Sequence, residues 1–223
     1  MEKFRLTNMK NISTPMDLNT QFSVKQCLTS MNQISQMKGV PYSEAIGSML
    51  WLTMISHPDT AYAVRILSQF MQNLGPAHWE GIKRVISYLG HTKDLWLTFG
   101  EKKQEMLEGY CDADWASQVH HHSILGYTFH YGVGPISWSS KKQSIITLSS
   151  TKAKYIAEMH AVKEGIWLKS FVREIIGGEA GELTVMADNQ GAISLAKNNK
   201  FHACTKHIDI ISFMRWLKKE KSR

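Results

Sequence analysis

The feature that most constrains the fold is a run of strand-like patterns followed directly by one long amphipathic helix. "MLEGYCDADWA" alternates like a strand that ends in a polar turn, and "ILGYTFHYGVGPISWSSKKQSIITLSS" contains further strands joined by turns that bear glycine or lysine. "TKAKYIAEMHAVKEGIWLKSFVREII" then places apolar residues at helical spacing. A strand "GELTVMADN", a short helix "QGAISLAKN" and a last helix "HIDIISFMRWLKKEKSR" follow. The order β-β-β-α-β-α-α predicts an α/β domain with a mixed sheet over residues 105–223.

The chain upstream of residue 105 follows a different pattern. Residues 1–41 are rich in Asn, Ser, Thr, Gln and Met and lack sustained periodicity, which predicts a loosely ordered leader. Residues 42–104 carry apolar side chains mostly at helical spacing, and Gly75 and Pro76 end one helix and begin the next. Within this segment, "LWLTFG" alternates like a strand. We therefore predict a small helical unit, joined to the α/β domain through the charged stretch "EKKQE".

The composition is that of an ordinary globular protein with an excess of basic residues. Of the 223 residues, 43% are hydrophobic and 20% charged, and the formal net charge is +7. This charge favours a polyanionic partner, although a basic protein without a nucleic acid partner fits it too. Three cysteines, odd in number and far apart, argue against a disulfide framework. The polar start and the short apolar runs predict neither a signal peptide nor a membrane span, so we expect a soluble intracellular protein, cytoplasmic or nuclear.

Three aspartates stand where a sheet can gather side chains. Asp112 and Asp188 each end a strand pattern, and Asp209 begins a helix. Carboxylates that converge at one edge of a sheet repel each other unless a cation lies between them. A pair of Mg²⁺ ions that clamp a phosphodiester is one arrangement of this kind. Aspartate is also common as a turn residue or helix cap, so the spacing alone leaves both interpretations open.

Several blocks of the sequence carry a family resemblance. "YCDADWA", "GYTFHYGVGPISWSSKKQSIITLSST", "DNQGAISLAKN" and "FHACTKHIDI" together resemble the ribonuclease H domain of copia-type (Pseudoviridae-like) retrotransposon Pol polyproteins. Upstream, "PYSEAIGSMLWLTMISHPDTAYAVRILSQF" and "HWEGIKRVISYLGHTKDLWLTFG" resemble the thumb and connection region that ends the adjoining reverse transcriptase. The resemblance implies a ribonuclease H-like fold, with a five-stranded mixed sheet and flanking helices. It also implies that the polymerase aspartates lie upstream of Met1, so we expect no polymerase activity.

The resemblance also assigns roles to single residues. The family's catalytic, metal-binding aspartates fall on Asp112, Asp188 and Asp209, and the implied cofactor is Mg²⁺ or Mn²⁺. His207 lies near the last of them, as an implied proton carrier or shaper of the site, although a packed or capping histidine fits equally well. The implied partners are an RNA–DNA hybrid and the rest of a Pol polyprotein, with no membrane involved.

Five residues are candidates for contact with the nucleic acid. Lys141, Lys142 and Gln143 form a basic turn that is placed to contact a phosphate backbone, and an ordinary solvated turn is the alternative. Asn189 and Gln190, which follow the aspartate of the "ADNQ" block, are further candidates within the resemblance.

The chain departs from the family at one catalytic position. The family motif is like "SSTEAEY", whereas this chain has "SSTKAKY", so that Lys154 takes the place of the catalytic glutamate and Lys152 that of another acid. At about 5 Å from a divalent ion, with an effective dielectric of about 20, the lysine adds repulsion on the order of 6 kcal/mol. We therefore expect a severely weakened metal site. Two alternatives stay open: Glu158, one helical turn further on, completes the site instead, or Lys154 pairs directly with Asp112 or Asp188.

Two hypotheses about function follow from these observations. The first is a retrotransposon-derived ribonuclease H-like domain, of a family that cuts RNA in RNA–DNA hybrids by a two-metal mechanism, inactive or weak in this copy. The second is a non-catalytic nucleic-acid-binding or scaffold module, or a degenerate retroelement fragment without a selected function. Steep salt dependence of hybrid binding is expected of a binding module and not of an inert fragment.

Overall fold

The structure is a computed structural model, and it describes residues 4, 11–17, 19–100, 106–115, 122–177 and 181–197. The chain divides into two compact units, Met1–Trp96 and Leu97–Arg223. The sequence pattern had placed this division after residue 104. Across the described ranges, no helix has the length and apolar character needed to cross a membrane.

The first unit is helical. Its helices are Met31–Met37 (α1), Tyr42–Ile55 (α2), Ala61–Ser68 (α3) and Pro76–His91 (α4), with short 3₁₀ helices at Val24–Gln26 and Pro58–Thr60. Pro76 fits the first position of α4 because its ring fixes a helical φ. The Nδ1 atom of His78 accepts a hydrogen bond of 2.8 Å from the backbone N–H of Gly75 and so caps the same helix.

Residues 1–41 contribute to the core of this unit. The core is built from buried side chains of α2, α3 and α4, such as Ile46, Leu67 and Ile82. Phe4, Met16 and Phe22 pack against it. The structure thus adds packed side chains and short helices to a segment for which the sequence pattern predicted a loosely ordered leader.

The strand predicted from "LWLTFG" is wrong. Residues 95–100 are all described and adopt no strand. Leu95, Trp96 and Phe99 are 70%, 86% and 62% exposed. Alternation along a sequence does not by itself supply a neighbouring strand, and this segment does not belong to the sheet.

The second unit is an α/β structure around a mixed sheet. The strands Leu107–Asp114 (β1), Ile124–Tyr131 (β2), Gly134–Lys142 (β3) and Leu183–Met186 (β4) lie in the order β3-β2-β1-β4. β1 pairs antiparallel with β2 and parallel with β4, and β2 pairs antiparallel with β3. The helices are Ser150–Ile176 (α5) and Gln190–Lys197 (α6). The predicted α/β class and mixed sheet are confirmed. The described residues supply four strands where five were expected, and the last predicted helix lies outside them.

One face of the sheet is packed closely against α5. Phe129 of β2 is fully buried there, between glycines of β1 and α5. A Cβ atom on Gly109 would lie 2.3 Å from the Phe129 ring, and one on Gly165 would lie 3.0 Å from it and 2.9 Å from Leu183. The helix can therefore approach the sheet this closely only because both positions lack a side chain. Gly177, at φ 69°, ends the helix in the left-handed conformation that favours glycine.

Candidate active site

The parallel pairing of β1 with β4 brings two of the predicted aspartates together. The last pair of this ladder is Tyr110 with Met186. Asp112 and Asp188 each lie two residues beyond that pair, and so occupy neighbouring positions at one end of the sheet. Their side chains are 69% and 65% exposed. The two carboxylates therefore meet because of strand register, although 76 positions separate them along the chain.

The start of α5 carries the positive charge toward these carboxylates. Ser149 caps the helix, since its Oγ accepts a hydrogen bond of 3.3 Å from the backbone N–H of Lys152. The first turn holds no acidic residue. The partial positive charge of the helix N-terminus therefore adds to that of Lys154, and Asp112 and Asp188 provide the balancing negative charge.

The ammonium group of Lys154 lies between the two carboxylates. Its Nζ is 2.5 Å from Oδ2 of Asp188 and 3.2 Å from Oδ1 of Asp112. The hydrogen bond to Asp188, together with the contact to Asp112, raises the pKa of Lys154 against the opposing effect of its partial burial. The side chain is therefore protonated at neutral pH. Of the alternatives left open by the sequence, direct pairing of Lys154 is the one that the structure shows.

The side chains at this edge do not fit a two-metal site. A divalent ion bound by Asp112 and Asp188 would have to displace the ammonium of Lys154 or lie beside a like charge. Within the ranges that the structure covers, no group of three or more His, Cys, Asp or Glu side chains is placed to hold a metal. The other predicted site residues, Asp209 and His207, lie outside the described residues. The weakened binding of Mg²⁺ or Mn²⁺ that the sequence suggested stays a prediction.

Glu158, the alternative ligand, lies one turn further along α5 and is buried. It is 6% exposed, and its Oε1 has no hydrogen-bond partner among the residues described. Burial, and to a smaller extent the charge of Asp188, raise the pKa of Glu158 to about 7. One signal of this burial is present in the sequence: Ala157 and Ala161, which are close to Glu158 on the helix, belong to the apolar stripe.

Among the five candidates for nucleic acid contact, Gln143 and Asn189 make structural contacts. Gln143 is 3% exposed, and its Nε2 donates a hydrogen bond of 2.9 Å to the carbonyl of Ala153, which ties the end of β3 to α5. The Oδ1 atom of Asn189 accepts a hydrogen bond of 2.9 Å from the N–H of Ala192 and caps α6.

The other three candidates reach the surface. Lys141 and Gln190 are exposed and Lys142 is half-buried. Lys141 and Lys142 lie at the end of β3, where they pair with Leu125 and Ile124 of β2. The structure therefore separates the exposed Lys141 and the half-buried Lys142 from their buried neighbour Gln143.

The chain is similar to Pol polyproteins of plant transposons. It is 42% identical over 211 residues to the retrovirus-related Pol polyprotein from transposon TNT 1-94 of Nicotiana tabacum. The aligned residues make up 94% of this chain and 16% of that protein. It is 34% identical over 206 residues to the retrovirus-related Pol polyprotein from transposon RE2 of Arabidopsis thaliana. Here the aligned residues make up 91% of this chain and 14% of that protein. The chain spans less than a sixth of the length of these relatives.

A third relative is shorter than this chain itself. The Secreted RxLR effector protein 161 of Plasmopara viticola is 42% identical over 142 residues, which cover 63% of this chain and 100% of that protein. No protein-family model matches the chain, and no solved structure matches it.

Proposed function

The chain belongs to a family that includes the retrovirus-related Pol polyproteins of copia-like transposons, and we propose that it is a ribonuclease H-like module whose hybrid-cleaving activity is silenced by Lys154. Its substrate class is the RNA–DNA hybrid, and its location is intracellular. The proposal includes the five-stranded ribonuclease H-like sheet implied by the family resemblance, and a catalytic role for Asp209. One observation carries it: an ammonium group lies between the two carboxylates that would otherwise hold a metal.

The contacts of Lys154 explain why the activity is expected to be absent. Both carboxylates form short, charge-assisted contacts with the same ammonium group. Displacing that group would break both contacts and leave its charge beside the incoming ion. Asp112 and Asp188 are therefore ion-pair partners of Lys154. A glutamate at position 154 would place no positive charge between them.

A second candidate function is that of a non-catalytic nucleic-acid-binding module. The net charge of +7 and the exposed side chain of Lys141 favour it. Both candidates predict hybrid binding, but only the first predicts that one substitution restores cleavage. A degenerate fragment without function predicts neither.

The test is hybrid cleavage in Mg²⁺ and in Mn²⁺ by four proteins: the unmodified chain, Lys154→Glu, Lys154→Glu with Asp188→Asn, and Lys152→Glu. The last makes the same charge change on the same helix and is the matched control. We expect cleavage by Lys154→Glu alone, together with a Mg²⁺-dependent rise in its melting temperature. Cleavage by the unmodified chain would overturn the silencing role of Lys154 and direct attention to Glu158. Mg²⁺ binding without cleavage by Lys154→Glu would overturn the ribonuclease assignment.

A further inference from the structure

A basic pocket lies across the sheet from the paired aspartates. It has a volume of about 310 Å³ and opens between the end of β3 and the middle of α5. Three lysines and a histidine line it: Lys141, Lys142, Lys163 and His160. Among the described residues that line it there is no aspartate or glutamate. The pocket is thus a concentration of basic side chains whose described lining contains no carboxylate.

The pocket is separate from the Lys154 site but close to it. Lys141 pairs with Leu125, and Leu125 pairs with Ala113, the neighbour of Asp112 on β1. Two strand spacings place the pocket about 10 Å across the sheet from β1. Along α5, nine residues separate Lys154 from Lys163, or about 14 Å of helix.

Two of the lysines in the pocket are close enough to His160 to affect its pKa. Partial burial, and then the ammonium groups of Lys141 and Lys163, lower the pKa of His160. Lys141 and Lys142 form no ion pair with any carboxylate in the described part of the chain. An anion beside Lys141 and Lys142 would therefore meet two ammonium groups that no carboxylate of the described residues neutralises.

The wall of the pocket also contains a fixed polar group. The backbone N–H of Gln143 donates to the carbonyl of Ser123 at 2.8 Å, and its own carbonyl accepts from Nδ1 of His122 at 2.8 Å. With its Nε2 bonded to Ala153, this residue is held in place on three sides. Its Oε1 is buried and has no hydrogen-bond partner within the described residues.

We propose that this pocket binds a phosphate group of a nucleic acid strand, with the neighbouring sugar resting on the apolar wall formed by Leu125, Ile156 and Met159. The choice of nucleic acid as the source of the phosphate rests on the proposed function. The spacing supports it: with a rise of about 3.4 Å per nucleotide, a strand that passes the Asp112 edge reaches the pocket about three nucleotides away.

The first test compares two double variants that lose the same charge from the same unit. Lys141→Ala with Lys163→Ala changes the pocket, and Lys169→Ala with Arg173→Ala changes the part of α5 outside it. The probe is a labelled RNA–DNA hybrid, and its affinity is measured over a range of salt concentrations. We expect the pocket variant to bind about tenfold more weakly and to lose about one unit of the salt slope, as expected for the loss of one phosphate contact. The control is expected to change binding less than about twofold.

The outcome separates a site from general electrostatics. Equal losses in both double variants would overturn the pocket, and so would no loss in either. Lys141→Arg with Lys163→Arg keeps the charge and is expected to retain binding, and melting temperatures verify that each variant is folded. Cleavage is not measured, so a failure here is distinct from a failure of the proposed function.

The second test places the phosphate by following His160 through its NMR titration in the full chain. A bound phosphate offsets the charges of Lys141 and Lys163, so the hybrid is expected to raise the pKa of His160. Inorganic phosphate alone is expected to raise it far less. An equal rise with inorganic phosphate, with unchanged hybrid affinity in the pocket variant, would assign the pocket to free phosphate and overturn the nucleic acid proposal. No change with either ligand would overturn the pocket itself.

Discussion

At the scale of single residues, Lys154 acts as a counter-ion supplied by the chain itself. Asp112 and Asp188 lie at neighbouring positions of one sheet end, and their mutual repulsion is relieved by the ammonium between them. Because both carboxylates are mostly exposed, solvent and salt screen the interaction. The energetic role of the lysine is therefore modest, while its effect on which cations can bind is large.

Lys154→Met is expected to lower the free energy of unfolding by roughly 0.5–1 kcal/mol, because it leaves two like charges facing each other at an exposed edge. Urea unfolding at low and high salt measures the effect. Lys152→Met, which removes a charge from the same turn of α5, is the control. The loss should shrink at high salt, and a loss that salt does not change would mean that the methylene chain of Lys154 contributes by packing instead.

The buried carboxyl of Glu158 makes stability depend on pH. Its pKa is raised from 4.5 to about 7 in the folded state, so between these values the folded protein binds the proton that the unfolded chain has lost. The free energy of unfolding therefore falls as pH rises through this window, by about 3 kcal/mol in all. It is at its highest, as far as Glu158 is concerned, below the lower pKa, and it is flat above the higher one.

Glu158→Gln should remove this fall, because the amide keeps the shape of the side chain and does not titrate. Urea unfolding of both proteins at several pH values between about 4 and 8 checks it. The difference between the two proteins isolates Glu158, since the lowered pKa of His160 changes stability in the opposite direction in both. A fall of the same size in the glutamine variant would assign the pH dependence to another group.

At the scale of elements, the distance between α5 and the sheet is set by two glycines. Phe129 fills the space above Gly109 and against Gly165, and any Cβ at these positions would overlap its ring or press on it. The same helix carries Lys154, near the aspartates, and His160 and Lys163, near the end of β3. The packing of α5 on the sheet therefore affects both sites.

Gly165→Ala is expected to destabilise the second unit by about 1–3 kcal/mol, since overpacking outweighs the gain of about 1 kcal/mol in helix propensity. Gly47→Ala in α2 is the matched control, because a Cβ there meets nothing within 4 Å, and it is expected to stabilise its helix. Hydrogen exchange of the amides of α5 and α2 reports on each helix separately. Slower exchange in α5 of the Gly165→Ala protein would contradict the packing argument.

The sequence predicted the elements of the second unit well, because their periodicity matches how they are buried. In β1, Leu107, Cys111 and Ala113 alternate with exposed residues, which is the pattern that identified the strand. Prediction from periodicity failed where burial depends on residues that are distant in the sequence. Residues 95–100 alternate but have no neighbouring strand. Phe22 packs against a core that is built from helices further along the chain.

The candidate site was predictable only in part for the same reason. Strand ends placed Asp112 and Asp188 together, and the family motif indicated Lys154. The sequence indicated only the Lys141 and Lys142 side of the basic pocket, because Lys163 joins them only when α5 packs on β3. Gln143, polar and next to two lysines, reads as a surface residue, yet the hydrogen bond to Ala153 accounts for its burial.

At the scale of the whole molecule, each unit has its own core and the chain as a whole carries a net charge of +7. A positive surplus of this size attracts polyanions without regard to sequence, through release of their counter-ions. The paired aspartates reduce this charge locally, whereas the pocket near β3 has no acidic residue among the described residues that line it. Binding should therefore be general in sequence but directed to one face of the second unit.

Hybrid affinity is accordingly expected to fall steeply with salt. If the pocket and its surroundings neutralise about three phosphates, the affinity falls roughly 40-fold between about 50 and 200 mM salt, because each contact contributes close to one unit of the log–log slope. Titrations with a hybrid duplex, and with heparin as a polyanion that lacks bases, measure it. A steep slope with a clear preference for the hybrid fits a nucleic acid module. Equal slopes and affinities for both polyanions would reduce the interaction to net charge. A flat dependence would exclude the binding functions altogether and leave a retroelement fragment whose lysine at the metal position marks the loss of its chemistry.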